Sequence, residues 1–188
     1  MKVPFHTEKK FWGIAGISLF LLYWVVMILI YPHLPEQIPV HFNLSGEATR
    51  YSETGFASWF LLPVIVTFTG LHTLLIGWAF LTAGIESLNF PEKKRILALS
   101  KEEQKPFKKI IRGYVIKTLW ITLNYVMVIF LLIAVYTWLY ATGSDSFSLG
   151  YPILGLTILY LYLITIDYFT LKRTFSKKLN KFAVGSRQ

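Results

Sequence analysis

The stretch from His33 to Glu47 gathers His33, Glu36, His41 and Glu47, and imidazole with carboxylate is a donor set that suits zinc or another divalent ion. The spacing closes no recognised ligand set, so His41 is read as a structural or partner-contact residue and no metal is expected. Further along, His72 and Asn124 fall near the middle of two apolar runs at similar depth. Polar groups in hydrocarbon need partners, so the two are either members of interhelical hydrogen bonds or markers of a proton or substrate path. Lys117 and Asp167 are single charges set just inside two other apolar runs, each five residues inward from a basic residue, Arg112 and Lys172. Antiparallel helices would bring them to one depth, where each satisfies the other. No H-E-x-x-H, G-x-S-x-G or P-loop pattern occurs, no run holds paired carboxylates, and the chain has no cysteine. Disulfides, thiolate zinc sites and cysteine nucleophiles are therefore excluded, and neither an enzyme nor a cofactor is expected.

The elements that position these residues follow from hydropathy. Of the 188 residues 54% are apolar and only 15% charged, with a mean hydropathy of +0.51. A soluble domain has roughly 25% charged residues. Phe11 to Tyr31 is free of charge and at about 1.5 Å per residue reaches roughly 31 Å, one bilayer thickness. The run is too long for a signal-peptide core and ends in Tyr31-Pro32-His33 without a small-x-small site. Three more spans are expected at about Ala57–Gly84, with Pro63 near its start, at Gly113–Ala141, which ends in Tyr136, Trp138 and Tyr140, and at Leu149–Leu171. The expected fold class is an all-α membrane protein, a single domain over residues 1–188 with four transmembrane helices.

Basic residues in short loops resist translocation. Of the 19 lysines and arginines all but Arg50 lie on one side of this arrangement, in the N-terminus, the 85–112 loop with the start of the third span, and the 172–188 tail. Both termini are therefore expected in the cytoplasm, with outward loops at 32–56 and 142–148. A pI near 9.7 would otherwise suggest nucleic acid, but the basic residues flank apolar runs, so the lipid bilayer is the expected partner. In the 85–112 loop, Pro91 after Asn89 marks a helical entry and Ser100 with Glu103 forms a capping box. Ile96, Leu97, Leu99, Phe107, Ile110 and Ile111 are expected to dip into the membrane interface while the lysines meet headgroups.

The first outward loop is unusually ordered for a connector. Prolines 32, 35 and 39 disfavour helix, and from Ile38 the apolar residues Ile38, Val40, Phe42 and Leu44 alternate with His41, Asn43 and Ser45, the period of a half-buried strand, before a turn at Gly46. The run Leu34-Pro35-Glu36-Gln37-Ile38-Pro39, followed by Val40-His41-Phe42-Asn43, Gly46 and a second span with an early proline at Pro63, resembles the proline-rich membrane module of the SdpI family, bacterial multispanning proteins associated with immunity to a secreted toxin and with signalling. The likeness covers roughly Phe11 to Leu81. The glycine-asparagine signature of longer members has no counterpart after Gly113. The resemblance implies a protein of the bacterial inner membrane and assigns no activity; taken together with the ordered loop, it leads to the expectation that His41, Phe42, Asn43 and Gly46 recognise an extracytoplasmic peptide or envelope component, or a membrane-protein partner. The alternative is a small transporter or permease subunit with a polar path near His72 and Asn124.

Overall fold

The structure, a computed structural model, describes residues 6–43, 45–144 and 149–185. Leu44, most of the second connector from Asp145, and the tail residues 186–188 lie outside the described residues. Five helices and one hairpin follow in the order α1 (His6–Ile30), β1 (Gln37–Phe42), β2 (Ala48–Glu53), α2 (Phe56–Ala83), α3 (Lys93–Leu97), α4 (Lys101–Ala141) and α5 (Gly150–Gly185). Four of the helices, α1, α2, α4 and α5, are long and apolar enough to cross a membrane. Their alternating direction brings the start of α1, the 84–100 segment and the end of α5 to one end of the bundle, the terminal end. The β1–β2 hairpin lies at the other.

α4 is the central helix: α1 packs along much of its length, and α2 and α5 pack on it from other sides. Small residues let the backbones approach. At Gly16 an added Cβ would come within 2.8 Å of the Trp120 ring, so this position of α1 admits only glycine without displacing the indole. α1 and α2 are tied by two tryptophans. The Trp59 indole donates to the Met27 carbonyl at 2.8 Å, and the Trp24 indole donates to the Thr67 hydroxyl at 3.2 Å.

Two of the spans run much further than their apolar stretches. α4 has 41 residues and α5 has 36, roughly 61 and 54 Å of helix against a hydrocarbon thickness of about 30 Å. The expected boundaries at Gly113 and Leu171 mark where the charge begins, not where the helix ends. α4 starts instead at the Ser100 cap: the Ser100 amide donates to the Glu103 carboxylate at 2.9 Å, and the Glu103 amide returns to the Ser100 hydroxyl.

The extensions correct the interfacial reading of the 85–112 loop. Ile96, Phe107, Ile110 and Ile111 do not face lipid; with Ile85, Phe90, Leu171, Phe175 and Leu179 they form a closed apolar core at the terminal end. Leu97 and Leu99 pack on its margin. Phe175 meets Phe90 and Phe107 edge-on at ring-centroid distances of 6.0 and 5.6 Å. A period-3.6 apolar stripe reads the same whether it meets lipid or another helix, and here the stripe continuing past Leu171 supplies the partner. Truncating Phe107 to alanine should destabilise this core by about 3–5 kcal/mol. In detergent, thermal unfolding and proteolytic cleavage within 84–112 should both shift to lower temperature, whereas truncating the exposed Ile14 should move neither.

Candidate functional site

The connector between α1 and α2 is a two-stranded antiparallel hairpin in which Gln37 pairs with Glu53, Ile38 with Ser52 and His41 with Arg50. The sequence predicts β1 alone as a strand. β2 is the missed half, and its six residues carry no apolar alternation that marks it. The expected two-sided alternation in β1 also breaks. Ile38 and Pro39 are both fully buried, and the register is irregular between Pro39 and Phe42, because a proline that cannot donate interrupts the ladder and swings the next residues.

The candidate residues have distinct tasks within the hairpin. Asn43 closes the turn: its side-chain amide donates to the Glu47 carboxylate at 2.8 Å and its Oδ1 accepts from the Glu47 amide at 2.9 Å. Gly46 has a φ of +87°, a left-handed conformation that costs glycine little, and its carbonyl accepts from the Tyr136 hydroxyl at 2.7 Å. Phe42 meets Tyr136 and Tyr140 edge-on, with centroids 5.1 and 5.6 Å away. The Tyr140 hydroxyl also accepts from the Ala48 amide at 3.4 Å. Tyr136 and Tyr140, one turn apart on α4, are thus the clamp that holds the hairpin, a role hidden in what read as an interfacial aromatic cluster. His41 is exposed and shares a hydrogen bond with the Thr49 hydroxyl.

Beneath the hairpin lies a cavity of about 1010 Å³. α2 contributes Leu61, Leu62 and Ile65 to its walls, α4 contributes Ile133, Ala134 and Thr137, and α5 contributes Ile153, Leu154 and Thr157. The hairpin supplies the roof, with His41, Phe42, Asn43, Gly46 and Arg50 among its lining residues. Leu61, Ile65 and Leu154 keep half or more of their surface exposed, so the cavity opens sideways between α2 and α5. Its volume is at the upper end of the roughly 300–1,000 Å³ range of small-molecule sites.

The membrane-embedded candidates separate into two groups. Lys117 and Asp167 come together as an ion pair at 2.8 Å, both side chains 9% exposed, and Glu8 of α1 joins Lys117 as a third member. Sequence reasoning missed Glu8 because it precedes the apolar run. His72 and Asn124, by contrast, do not meet. The His72 residue is exposed on α2, whereas the buried Asn124 amide donates to the Trp12 carbonyl of α1 at 2.9 Å and to the Trp120 carbonyl at 2.7 Å. The polar seam of the bundle is elsewhere, between α4 and α5, where Thr122 bonds Tyr160 at 3.1 Å and Tyr125 bonds Thr157 at 2.8 Å. Among the described residues no three His, Asp or Glu side chains are grouped to hold a metal ion.

Residues 18–67 match the model of a membrane-associated family described as a domain of unknown function, DUF1648. The matched stretch comprises the second half of α1, the whole hairpin and the first part of α2. Comparison with curated proteins and with solved structures finds no match.

Lys117→Met leaves Asp167 charged and buried without its cation, a cost of roughly 3–5 kcal/mol, whereas Asp167→Asn leaves Lys117 with Glu8 and should cost less. A double-mutant cycle of Lys117→Met and Asp167→Asn should therefore be non-additive, with a coupling of about 0.5–3 kcal/mol by thermal unfolding in detergent. Additive losses would show that the contact contributes nothing. Gly46→Ala, which forces a side chain into the left-handed region, should cost about 1 kcal/mol or more and loosen the Tyr136 contact.

Proposed function

We propose that this chain is a bacterial plasma-membrane recognition protein of the SdpI kind, in which the hairpin and the cavity beneath it receive an extracytoplasmic peptide or other envelope component. The cavity carries the reading. It is roofed by the residues on which the SdpI resemblance rests, and the DUF1648 match covers the same hairpin with the adjoining halves of its flanking helices. The asymmetry of basic residues supports an outward hairpin with both termini in the cytoplasm. A surface held by two tyrosines, a closed turn and a paired ladder loses little conformational freedom when a ligand arrives, which favours binding over a flexible connector of equal length. Immunity and signalling are the two outputs the resemblance suggests for such binding. The transporter alternative draws less support from the geometry, because His72 and Asn124 share no path.

Orientation and recognition can be tested separately. In this cysteine-free chain, Ser45→Cys should react with an impermeant thiol reagent on intact cells and Ser100→Cys should not; strong labelling at Ser100→Cys reverses the orientation. For recognition, a photo-crosslinking residue at Leu62 in intact cells should capture a component from within the cavity. His41→Ala should lower that yield about fivefold at unchanged abundance, the loss of about one hydrogen bond. Unchanged capture with His41→Ala would place recognition elsewhere.

A further inference from the structure

The charge lining the cavity differs from the charge of the hairpin as a whole. The hairpin segment carries Glu36, Glu47 and Glu53 against the single cation Arg50, which makes it acidic overall. None of the three glutamates lines the cavity, and Arg50 does. Among the lining residues Arg50 is the one with a fixed charge, and its guanidinium enters no ion pair among the described residues. Below it the walls are mainly aliphatic, with Tyr23 and Trp59 among them: the Thr157 hydroxyl donates to the Ile153 carbonyl at 2.7 Å and bonds Tyr125, the Trp59 indole is taken by the Met27 carbonyl, and the buried Tyr23 hydroxyl has no hydrogen-bond partner among the described residues.

An occupant must therefore be apolar along its length and anionic at the hairpin end. It must also enter from the side, between α2 and α5, where Leu61, Ile65 and Leu154 are exposed at the level of the spans. An extended peptide meets these walls poorly, because each backbone amide placed against aliphatic side chains would lack a partner, at several kcal/mol apiece. An acyl chain has no such groups. Resting on the reading that this cavity binds a ligand, we infer that its occupant is an anionic phospholipid from the leaflet on the hairpin side, with acyl chain between α2 and α5 and its phosphate against Arg50. His41 and Ser52 line the cavity beside Arg50 and offer further polar contact to a headgroup.

The test must separate this site from the basic terminal end, which attracts anionic lipid without selecting a position. The purified full chain, reconstituted in phosphatidylcholine vesicles with phosphatidylglycerol as the minority lipid, would carry a photo-crosslinking residue at Leu62 in the cavity. A reference chain would carry it at Leu29, exposed at the hairpin end of α1 and outside the lining. Mass spectrometry of the adducts reads the phosphatidylglycerol share at each position. Expected is an enrichment at Leu62 of about fivefold over Leu29, abolished in Arg50→Gln and largely kept in Arg50→Lys. Equal shares at the two positions overturn the proposal, as does an enrichment that survives Arg50→Gln. If Leu62 yields no lipid adduct in vesicles but captures a peptide in cells, the lipid assignment falls while the recognition reading stands.

Discussion

Inside hydrocarbon every backbone amide and carbonyl has to be satisfied within the protein, and a two-stranded hairpin leaves both of its outer edges unpaired. A hairpin can therefore be a fixed part of a four-helix membrane bundle only at its end, and only if something on the helices holds it there. Tyr136 and Tyr140 meet that condition. Their hydroxyls reach backbone groups at Gly46 and Ala48, and their rings pack on Phe42, so polar and apolar anchoring come from the same two side chains. Ile38 completes the seat by inserting into the core formed by Tyr23, Met27, Trp59 and Met127. With the hairpin fixed, the space between α2 and α5 becomes a roofed cavity instead of an open cleft.

α4 makes this possible by being a different helix at each level. At the terminal end it buries Phe107, Ile110 and Ile111 against α5 and the 84–100 segment; further up it presents Lys117 to Asp167 and Glu8, then Trp120 and Asn124 to the glycine face of α1, and finally the tyrosine pair to the hairpin. Lipid tails are as apolar as leucine, so burial gives little net drive for apolar helices to associate within the bilayer. Packing of small residues, interhelical hydrogen bonds and one buried ion pair have to do it, and each occurs on a separate stretch of α4. At the terminal end, where the charge returns to the sequence, burial takes a different form, a continuous aliphatic and aromatic core.

How much of this was legible in the sequence depended on which physical signal each feature leaves. The four spans were legible because length and lack of charge suffice for a membrane helix. The Lys117–Asp167 pair was legible because isolated charges in apolar runs need partners and antiparallel depth can be counted. The helix ends at Ser100 and Gly185 were not, since a helix leaving the bilayer changes its charge without changing its period. Ser100 with Glu103 reads as a capping box, but the charges between it and Gly113 hide that one helix runs from that cap through the span. His72 and Asn124 matched in depth yet not in direction, and depth alone says nothing about which face of a helix a residue occupies. β2 was lost for a different reason: a strand of Ala48-Thr49-Arg50-Tyr51-Ser52-Glu53 has little apolar character, and its place is set by the ladder to β1 and the tyrosines of α4, contacts distant in the chain.

The same distance in sequence explains why Arg50 first reads as a topological exception. Counted along the chain, it is one base on the wrong side of an otherwise consistent charge rule, in a connector with an acidic excess. Seen in three dimensions, the pairing of β2 with β1 sorts those charges: Arg50, opposite His41, lines the cavity, and Glu36, Glu47 and Glu53 do not. The Glu47 carboxylate accepts from the side-chain amide of Asn43 in the turn. The charge rule does not need a base at this position, since under it orientation is set by the remaining basic residues together. A charge that topology does not need, in no ion pair among the described residues and placed on a largely apolar cavity that none of Glu36, Glu47 and Glu53 lines, is the electrostatic pattern on which the inferred site for an anion with an apolar tail rests.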